Sequence, residues 1–277
     1  MVLRGMQNSR SKDVQHFYNK RTSQFLEVYG QHIQAFRTLN MDDYLKHLSC
    51  SIGIQSGWRC LDAGCGVGGP AEFFATLNDG LHIDAVTISD EQISLAKKRI
   101  EQNQLKNSQI AFHNLDYHSL NDSFQPNTFD CIYFLESMGH SDRFALLIDL
   151  AYNLLKPGGV LFIKDLFQRK NNNEWVDLRI RQLCHEINQA YHYSILSAPD
   201  LLNSIQVTGF QLDYFRTPPI PNEQFEHLSI SNDFQNLFGV GAISSWDNYI
   251  FPIEFFEVRA IKPKYSTTQV HLYHMNQ

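Results

Sequence analysis

The middle of the chain alternates apolar segments with amphipathic ones. Apolar or alternating stretches indicate five short strands, at residues 59–62, 82–88, 109–113, 129–135 and 160–165. Segments with a helical period lie between them, at residues 70–77, at residues 90–104, and from residue 141 or 142 up to Pro157. Strands that alternate with helices are typical of a parallel sheet covered by helices on both faces.

The segments on either side of this unit follow a different pattern. The first forty or so residues indicate amphipathic helices, and residues 171–204 indicate two more helices. Residues 210–216 and 249–261 indicate the closing strands. We therefore expect an α/β fold with a doubly wound, seven-stranded, mostly parallel sheet, N-terminal helices and a helical lid insertion before the last strand.

This pattern divides the chain into three regions. We expect a helical cap at residues 1–55, a sheet domain at residues 56–265 and a polar, disordered tail at residues 266–277. Within the sheet domain, an insertion at about residues 217–248 begins with a proline-rich run. We expect this insertion to close over a site as a lid.

Composition and charge limit the class of protein. With 277 residues, 43% hydrophobic and 19% charged, the chain indicates a globular protein with a sizeable core. No apolar run approaches the roughly 20 residues that cross a bilayer, and residues 1–20 are unlike a signal peptide. The net charge of -6 argues against nucleic acid as a partner. Five scattered cysteines without metal-ligand spacing favour a reducing, cytoplasmic location.

A glycine-rich turn follows the first predicted strand, in the run CLDAGCGVGG at residues 60–69. Gly64, Gly66 and Gly68 lack a Cβ, so the backbone can bend tightly there and approach a ligand closely. Asp62 stands beside the turn. A strand, an acid and a glycine-rich turn in this order indicate a site for a nucleoside-type cofactor.

At this turn the chain resembles the class I S-adenosylmethionine-dependent methyltransferases. Residues 64–69 run Gly-Cys-Gly-Val-Gly-Gly, and Asp62 precedes the first glycine by two residues, as in the first motif of that family. Residues 154–159, Leu-Leu-Lys-Pro-Gly-Gly, match the turn before the family's fifth strand. The resemblance covers residues 59–165 and implies a Rossmann-like methyltransferase fold with S-adenosylmethionine as cofactor.

The second strand resembles one branch of that family. Most class I methyltransferases end this strand in an acid that holds the ribose, whereas this chain has Thr87 and Ile88 there, with Gln92 five residues after the threonine. This resembles the methyltransferases of sterols, tocopherols, cyclopropane fatty acids and geranyl diphosphate. The resemblance implies Gln92 as ribose ligand, because an amide both donates and accepts. An ordinary place on the helix surface is the alternative for Gln92.

The resemblance implies further cofactor contacts after the third and fourth strands. Asp116 stands where the family has an acid that accepts a hydrogen bond from the adenine amino group, and Tyr117 and Leu135 are the adjoining candidates. An aspartate in a loop is also a common turn former, which is the alternative for Asp116.

The segment after the fourth strand carries the candidate catalytic residues. Glu136-Ser137-Met138 resembles a Glu-Ser-Thr-Met segment of geranyl-diphosphate methyltransferases, in which the glutamate is the proposed base. A carboxyl group in a closed apolar pocket binds a proton more readily, which suits deprotonation of a carbocation. Binding of cofactor backbone or capping of the next helix is the alternative for Glu136. His140 is a second candidate base or diphosphate contact, or else a structural histidine.

Aromatic residues make up 13% of the chain, with 20 Phe and 12 Tyr. Aromatic faces stabilise a carbocation, which fits methylation of an alkene. The candidate substrate walls are Tyr18, Tyr29, Trp175, Tyr191, Tyr193 and Trp246, together with Phe17, Phe25, Phe36, Phe234 and Phe238. Packing in the core is the alternative for aromatics at helical spacing, and an exposed aromatic N-terminal helix is a candidate contact in a homo-oligomer.

A diphosphate substrate would need positive charge. Arg179, Arg181 and His185 are the candidates, with Mg²⁺ expected as a cofactor only if the substrate is a diphosphate. The chain has no clear acidic metal box, so we assign no metal ligands.

Three hypotheses follow from the sequence. The first is a C-methyltransferase of terpenoid secondary metabolism, which methylates an alkene of a small isoprenoid through a carbocation that then loses a proton. The second is an O- or N-methyltransferase of a small specialised metabolite, with Glu136 or His140 as base. The third is a protein that binds the cofactor without catalysis. In each case we expect a small-molecule partner.

Overall fold

The structure is a computed structural model that describes residues 2–102, 109–221, 223 and 250–265, with side chains described from Arg10 onward. The helices are α1 Val2–Tyr29, α2 Met41–Ile52, α3 Gly69–Leu77, α4 Asp90–Gln102, α5 Leu120–Ser123, α6 Phe144–Leu154, α7 Glu174–Tyr191 and α8 Ala198–Thr208. The strands are β1 Arg59–Ala63, β2 His82–Thr87, β3 Ile110–Asn114, β4 Phe129–Leu135, β5 Leu155–Gln168, β6 Gln211–Arg216 and β7 Ile253–Ile261. Short 3₁₀ turns lie at Tyr117–Ser119 and Met138–His140.

The described strands form a seven-stranded sheet in the order β3-β2-β1-β4-β5-β7-β6. Strands β1 to β5 run parallel to one another, and β7 is antiparallel to both β5 and β6. The direction of winding reverses between β1 and β4, and the carboxyl ends of these two strands therefore open a crevice at the sheet edge. The predicted α/β fold with a mostly parallel, seven-stranded sheet is confirmed.

Alternate side chains of the central strands fill a core on each face of the sheet. Ile132 and Phe134 of β4 belong to the core that α6 and α8 cover, whereas Cys131 and Tyr133 belong to the core that α2 and α3 cover. All four side chains are buried. Burial on both faces explains why β4 is an unbroken apolar run in the sequence, apart from one aspartate.

Strand β5 begins earlier than the sequence pattern predicts. Leu155 pairs with Phe129 of β4, and the backbone N–H of Gly158 donates to the carbonyl oxygen of Lys262 at 2.7 Å. Gly158 has a φ of 83°, which glycine adopts without a steric penalty. Residues 157–159 therefore lie within β5, at a register shift in its pairing with β4 between Phe129 and Cys131, and not in a separate turn before the strand.

Helix α1 lies over the sheet edge and packs against α4. Val14, Phe17, Thr22 and Phe25 are its buried side chains, and their spacing of three to five residues places them along one face of the helix. The predicted N-terminal helices are therefore present and pack against the sheet domain.

Parts of the predicted organisation lie outside the described residues. These are most of the predicted lid at residues 217–248, the tail at residues 266–277, and Trp246, Phe234 and Phe238. The boundaries at residues 55 and 265 stay predictions. None of the described helices has an apolar stretch long enough to cross a bilayer.

Replacement of Phe162 by alanine tests the two-sided core. The side chain is fully buried in β5, so Phe162→Ala removes its packing and leaves a cavity. We expect the free energy of unfolding in urea to fall by about 3–5 kcal/mol. Val207→Ala, at a position 78% exposed on α8, is the control and should change stability by less than about 0.5 kcal/mol. Equal effects of the two substitutions would contradict the assignment of this core.

Candidate active site

A cavity lies at the carboxyl ends of the central strands, beneath α1. Its empty volume, which includes space open to solvent, is about 880 Å³. Most of the predicted site residues line it: Tyr18, Asp62, Gly64, Gly66, Thr87, Ile88, Gln92, Asp116, Tyr117, Leu135, Glu136 and His140. The topology therefore brings residues from five separate segments of the chain to one place.

The glycine turn forms one wall of this cavity. A Cβ on Gly64 would lie 2.5 Å from the Cβ of Ser137, and a Cβ on Gly68 would lie 2.6 Å from the ring of Phe112. These two glycines are required for close packing behind the turn. A Cβ on Gly66 would meet nothing within 4 Å, so this glycine faces open space at the cavity. Its φ of 55° is the left-handed conformation that glycine favours.

Asp62 is a buried acid at the base of the cavity. Its side chain is 2% exposed, and its Oδ2 atom has no hydrogen-bond partner among the described residues. Burial raises the pKa of Asp62 to about 7, and the side chain of the neighbouring Tyr133 opposes this rise. A buried acceptor without a donor is costly, so this atom is available to a ligand that carries a donor or a positive charge.

Thr87 and Gln92 form a buried pair. The Thr87 hydroxyl donates to Gln92 Oε1 at 2.7 Å, and the backbone N–H of Gln92 donates to Ser89 Oγ at 3.2 Å. Gln92 is 2% exposed, so the alternative of an ordinary surface residue is wrong. The hydrogen bond from Thr87 fixes the orientation of the Gln92 amide at the cavity wall.

Helix α1 carries a polar stripe that the sequence reasoning missed. Ser11 Oγ donates to Asp116 Oδ2 at 2.6 Å, and Gln15 Nε2 donates to the carbonyl oxygen of Ile88 at 2.9 Å. The Ser89 hydroxyl donates to Asn19 Oδ1 at 2.6 Å. The signal was present in the sequence, because polar residues at positions 11, 15 and 19 repeat at helical spacing. This stripe attaches α1 to the loops after β2 and β3.

Asp116 lies in the cavity wall, in the loop after β3. Burial would raise the pKa of its carboxyl group, but hydrogen bonds from His118 and Ser11 outweigh burial and lower that pKa to about 2. Asp116 Oδ1 accepts from the backbone N–H of His118 at 2.9 Å. The carboxylate is therefore both an ionised acceptor in the cavity wall and the cap of a turn, as the alternative for this residue proposes.

Glu136 has partners that the sequence did not indicate. Its backbone is left-handed, with a φ of 54°. Oε2 accepts from the backbone N–H of Ala35 at 2.5 Å, and Oε1 accepts from the backbone N–H of Phe36 at 3.1 Å. Oε1 also forms an ion pair with the buried ammonium of Lys164. The carboxylate thus joins the end of β4 to β5 and to the segment after α1, and its assignment as base stays a prediction.

Lys164 is completely buried and surrounded by aromatic rings. Its Nζ lies 4.6 Å from the ring centroid of Phe36, 5.1 Å from that of Phe255 and 5.4 Å from that of Tyr44. Burial lowers the pKa of Lys164, and the attraction of Glu136 opposes this change. Aromatic faces stabilise a nearby cation, so the three rings take over part of the role of water. Sequence reasoning missed this lysine, because it reads as one charge inside an apolar strand.

His140 lies beside Tyr18 at the cavity wall. His140 Nε2 is 2.7 Å from the Tyr18 hydroxyl, and His140 Nδ1 is 3.2 Å from the carbonyl oxygen of His192. Because a carbonyl only accepts, Nδ1 carries the proton and Nε2 accepts from Tyr18. Burial lowers the pKa of His140 to about 4, so the ring is neutral at pH 7. Burial also raises the pKa of Tyr18, which keeps its hydroxyl protonated.

Four of the predicted aromatic substrate walls, Phe17, Phe25, Tyr29 and Tyr191, pack against one another and do not line the cavity. The ring centroid of Phe17 lies 5.9 Å from that of Phe25 and 6.4 Å from that of Tyr191, and Phe25 lies 6.1 Å from Tyr29. Tyr193 lies behind His140 and donates its hydroxyl to Asp165. Of the predicted walls that the structure describes, Tyr18 is the one that lines the cavity.

Other predicted substrate residues lie at the surface. Trp175 is 81% exposed on the first turn of α7. Arg179 and Arg181 are exposed, and they form ion pairs with Glu186 and Asp177. The structure does not bring these residues to the cavity, because the face of α7 that packs inward carries Ile180 and Cys184. His185, also exposed, lies on the same helix.

Metal ligands are not grouped in the part of the chain that the structure describes. There, no cluster of three or more His, Cys, Asp or Glu side chains is arranged to hold a metal ion. The five cysteines are free thiols, and Cys65 lies in the glycine turn itself.

Comparisons of sequence identify related proteins. Residues 54–209, more than half of the 277 residues, match the family model of a methyltransferase domain. A sterol 24-C-methyltransferase of Neurospora crassa is 27% identical over 219 residues, which cover 74% of this chain and 56% of that protein. An O-methyltransferase of Aspergillus nomiae is 40% identical over 112 residues, which cover 40% of this chain and 48% of that protein. The chain spans about half the length of these curated relatives.

Comparison of structures shows the same fold. The geranyl diphosphate C-methyltransferase of Streptomyces coelicolor, solved with Mg²⁺, geranyl diphosphate and S-adenosyl-L-homocysteine, superposes with a TM-score of 0.71. The alignment covers 92% of this chain and 98% of that chain at 14% identity. At this identity the likeness concerns the fold, and the resemblance inferred from the sequence motifs is confirmed by the family match.

Replacement of Asp62 by asparagine tests the burial of this acid. The pKa of Asp62 is about 7 in the folded protein and near 3.8 in the unfolded chain, so the wild type loses stability as the pH rises between these values. Asparagine does not titrate. The free energy of unfolding of Asp62→Asn minus that of wild type should therefore be about 2 kcal/mol higher at pH 8 than at pH 5.

Urea unfolding at both pH values measures this difference. Asp79→Asn, at an exposed carboxylate, is the matched control. A stability difference for Asp62→Asn that does not change with pH would contradict the raised pKa.

Proposed function

The chain belongs to the methyltransferase domain family, and we propose that it is an S-adenosylmethionine-dependent C-methyltransferase acting on an alkene of a small isoprenoid. The observation that carries this proposal is the cavity at the strand ends, with the buried Thr87–Gln92 pair at its wall. This pair stands where the carbon-methylating branch of the family differs from other class I enzymes. The similarity to a sterol 24-C-methyltransferase supports the same class of reaction.

The chemistry of the cavity lining fits S-adenosylmethionine. Gly66 leaves open space at the turn, and Asp62 offers an acceptor that lacks a partner. We propose that Gln92 holds the ribose, with Thr87 orienting it, and that Asp116 faces the adenine. Ile88, Tyr117 and Leu135 would complete the contacts. When bound, the cofactor supplies a methyl group on a positively charged sulfur, which a nucleophile attacks directly.

The protein's contribution to an alkene reaction would be alignment and exclusion of water. Tyr18, Glu136 and His140 line the same region of the cavity, and α1 covers it. An alkene that accepts a methyl group becomes a tertiary carbocation. The ring of Tyr18 would stabilise such a cation by about 0.5–2 kcal/mol.

We propose His140, together with Tyr18, as the acceptor of the proton that the carbocation loses. His140 is neutral, and its Nε2 is the acceptor atom in its contact with Tyr18. A carbocation is a far stronger acid than an imidazolium, so a base whose pKa is only about 4 still suffices. The proton would pass to Tyr18 Oη as the tyrosine proton moves to Nε2, or directly to Nε2 if Tyr18 turns away.

Glu136 is the second candidate for the base. Its protonation would leave the buried ammonium of Lys164 without a counter-charge, which costs about 3–5 kcal/mol when one partner of a buried pair is removed. The geometry therefore favours His140. Ionised Glu136 places negative charge in the cavity wall, where a cation would form.

The alternative is an O- or N-methyltransferase of a small specialised metabolite. Neutral His140 with Tyr18 could also take a proton from a hydroxyl or amino group. The 40% identity to an O-methyltransferase over 112 residues supports this alternative. A diphosphate substrate with Mg²⁺ stays one form of the first proposal. The described residues contain no group of three or more potential metal ligands that would support it independently.

Several broader expectations stay proposals. We propose a cytoplasmic protein of terpenoid secondary metabolism with a small-molecule partner and without nucleic acid. We also propose three regions: a helical cap at 1–55, a methyltransferase domain at 56–265 with a lid, and a tail. A homo-oligomer is a further proposal.

Cofactor binding and acceptor choice are tested together. Isothermal titration with S-adenosylmethionine should give saturable binding to wild type. Methyl-labelled cofactor is then incubated with prenyl diphosphates, uncharged terpenoids, phenols and amines. We expect label on the isoprenoids. Absence of cofactor binding would reject both enzyme hypotheses, binding without any transfer would favour a binding protein, and label only on phenols or amines would favour the alternative.

Replacement of His140 by alanine tests the proposed base. Loss of a general base lowers kcat by about 10²–10⁴-fold, and cofactor affinity should stay within about twofold of wild type. Steady-state kinetics and titration measure the two effects. His82→Ala is the control and should leave kcat unchanged. His82 is exposed at the start of β2, whereas the other end of this strand, at Thr87, lines the cavity. If Glu136→Gln removes turnover with normal cofactor binding while His140→Ala does not, Glu136 is the base.

A further inference from the structure

The segment between α1 and α2 presents a buried amide to the cavity. Gln34 is 4% exposed and lines the cavity. Its Oε1 accepts from Lys164 Nζ at 3.3 Å, and its Nε2 has no partner among the described residues. A buried donor without an acceptor is costly, so this atom indicates a ligand.

Lys164 decides which end of the amide faces the cavity. An ammonium group donates and never accepts, so the amide must direct its oxygen toward Lys164. The amino group of Gln34 then points away from the lysine. The position thus offers a donor, and a group that carries acceptor oxygens is its natural partner.

Glu136 and Gly69 hold this segment in place. Glu136 binds the backbone N–H groups of Ala35 and Phe36. A Cβ on Gly69 would lie 2.2 Å from the carbonyl oxygen of Gln31, so the segment lies directly against the first turn of α3. The Gln34 amide therefore sits on backbone that is fixed at both ends.

Asp62 presents the opposite polarity to the same cavity. Its Oδ2 is a buried acceptor without a partner among the described residues, whereas Gln34 Nε2 is a buried donor without one. An unpaired acceptor and an unpaired donor in one cavity match a ligand that carries an ammonium group and a carboxylate. An amino-acid group has this pair of charges.

We propose that Gln34, oriented by Lys164, binds the carboxylate of the amino-acid group of S-adenosylmethionine, with Asp62 serving the ammonium group. This inference rests on the proposed function, because it assumes that the cavity holds this cofactor. It assigns a cofactor-binding role to Gln34 and a positioning role to Lys164, outside the glycine turn and the predicted site.

The test compares adenosine ligands with and without the carboxylate. Titration calorimetry measures the affinity of wild type and Gln34→Ala for S-adenosylmethionine, for decarboxylated S-adenosylmethionine and for 5′-methylthioadenosine, which lacks the amino-acid group. A hydrogen bond to a charged group contributes enough that its loss should weaken S-adenosylmethionine binding about 10–100-fold. Affinities for the two ligands without a carboxylate should stay within about twofold of wild type.

Gln34→Glu is the second variant and retains the size of the side chain. Lys164 can still donate to its carboxylate, but the position now presents an acceptor to the cavity. We expect a larger loss of S-adenosylmethionine affinity than for Gln34→Ala, again with little change for 5′-methylthioadenosine. Retained 5′-methylthioadenosine binding also shows that the variants are folded.

The outcomes separate this inference from the proposed function. If wild type binds none of the adenosine ligands, the proposed function fails. If wild type binds them and Gln34→Ala weakens the binding of all three ligands equally, or of none, Gln34 does not bind the carboxylate and this inference is overturned. Equal binding of S-adenosylmethionine and its decarboxylated form by wild type would also overturn it.

Discussion

A buried ion pair between Glu136 and Lys164 is the interaction on which the rest of the cavity depends. It joins the end of β4 to β5, and Glu136 also binds the backbone of residues 35 and 36. Burial of two charges costs several kcal/mol per ion unless other groups replace water. Here backbone N–H groups, the oxygen of Gln34 and three aromatic rings do so. Because the N–H groups of Ala35 and Phe36, the Gln34 amide and the Phe36 ring reach the pair only when the segment after α1 is in place, the buried pair and the position of this segment stabilise each other.

Helix α1 connects the two ends of the site. Its polar stripe binds the loops after β2 and β3, where Ser11 contacts Asp116 and Gln15 contacts the backbone of Ile88. Its apolar face carries Tyr18 to His140 at the other end. A single helix therefore contacts both the proposed cofactor side of the cavity and the proposed base.

The sequence predicted those features of the site that depend on residues close together in the chain. The strand–turn–helix pattern and the glycines at 64, 66 and 68 predict the turn, because backbone conformation and close approach are local requirements. Thr87 and Gln92 are five residues apart and meet across the short connection from β2 to α4, so their pairing was within reach of pattern reasoning. The structure does not place Phe17, Phe25 or the arginines of α7 at the cavity lining, since helical spacing identifies a buried face without identifying what it packs against.

The sequence by itself determined the seven-stranded α/β fold, the glycine turn and the strand ends at which a cofactor would bind. Hydrophobic periodicity and turn chemistry are properties of short segments, and they suffice for these features. Only the tertiary structure decided that Glu136 pairs with Lys164, that Tyr18 contacts His140, and that Gln34 turns its amino group to the cavity. Those contacts join residues that are 28 to 130 positions apart, and their charges and hydrogen bonds acquire meaning only when folding removes water from around them.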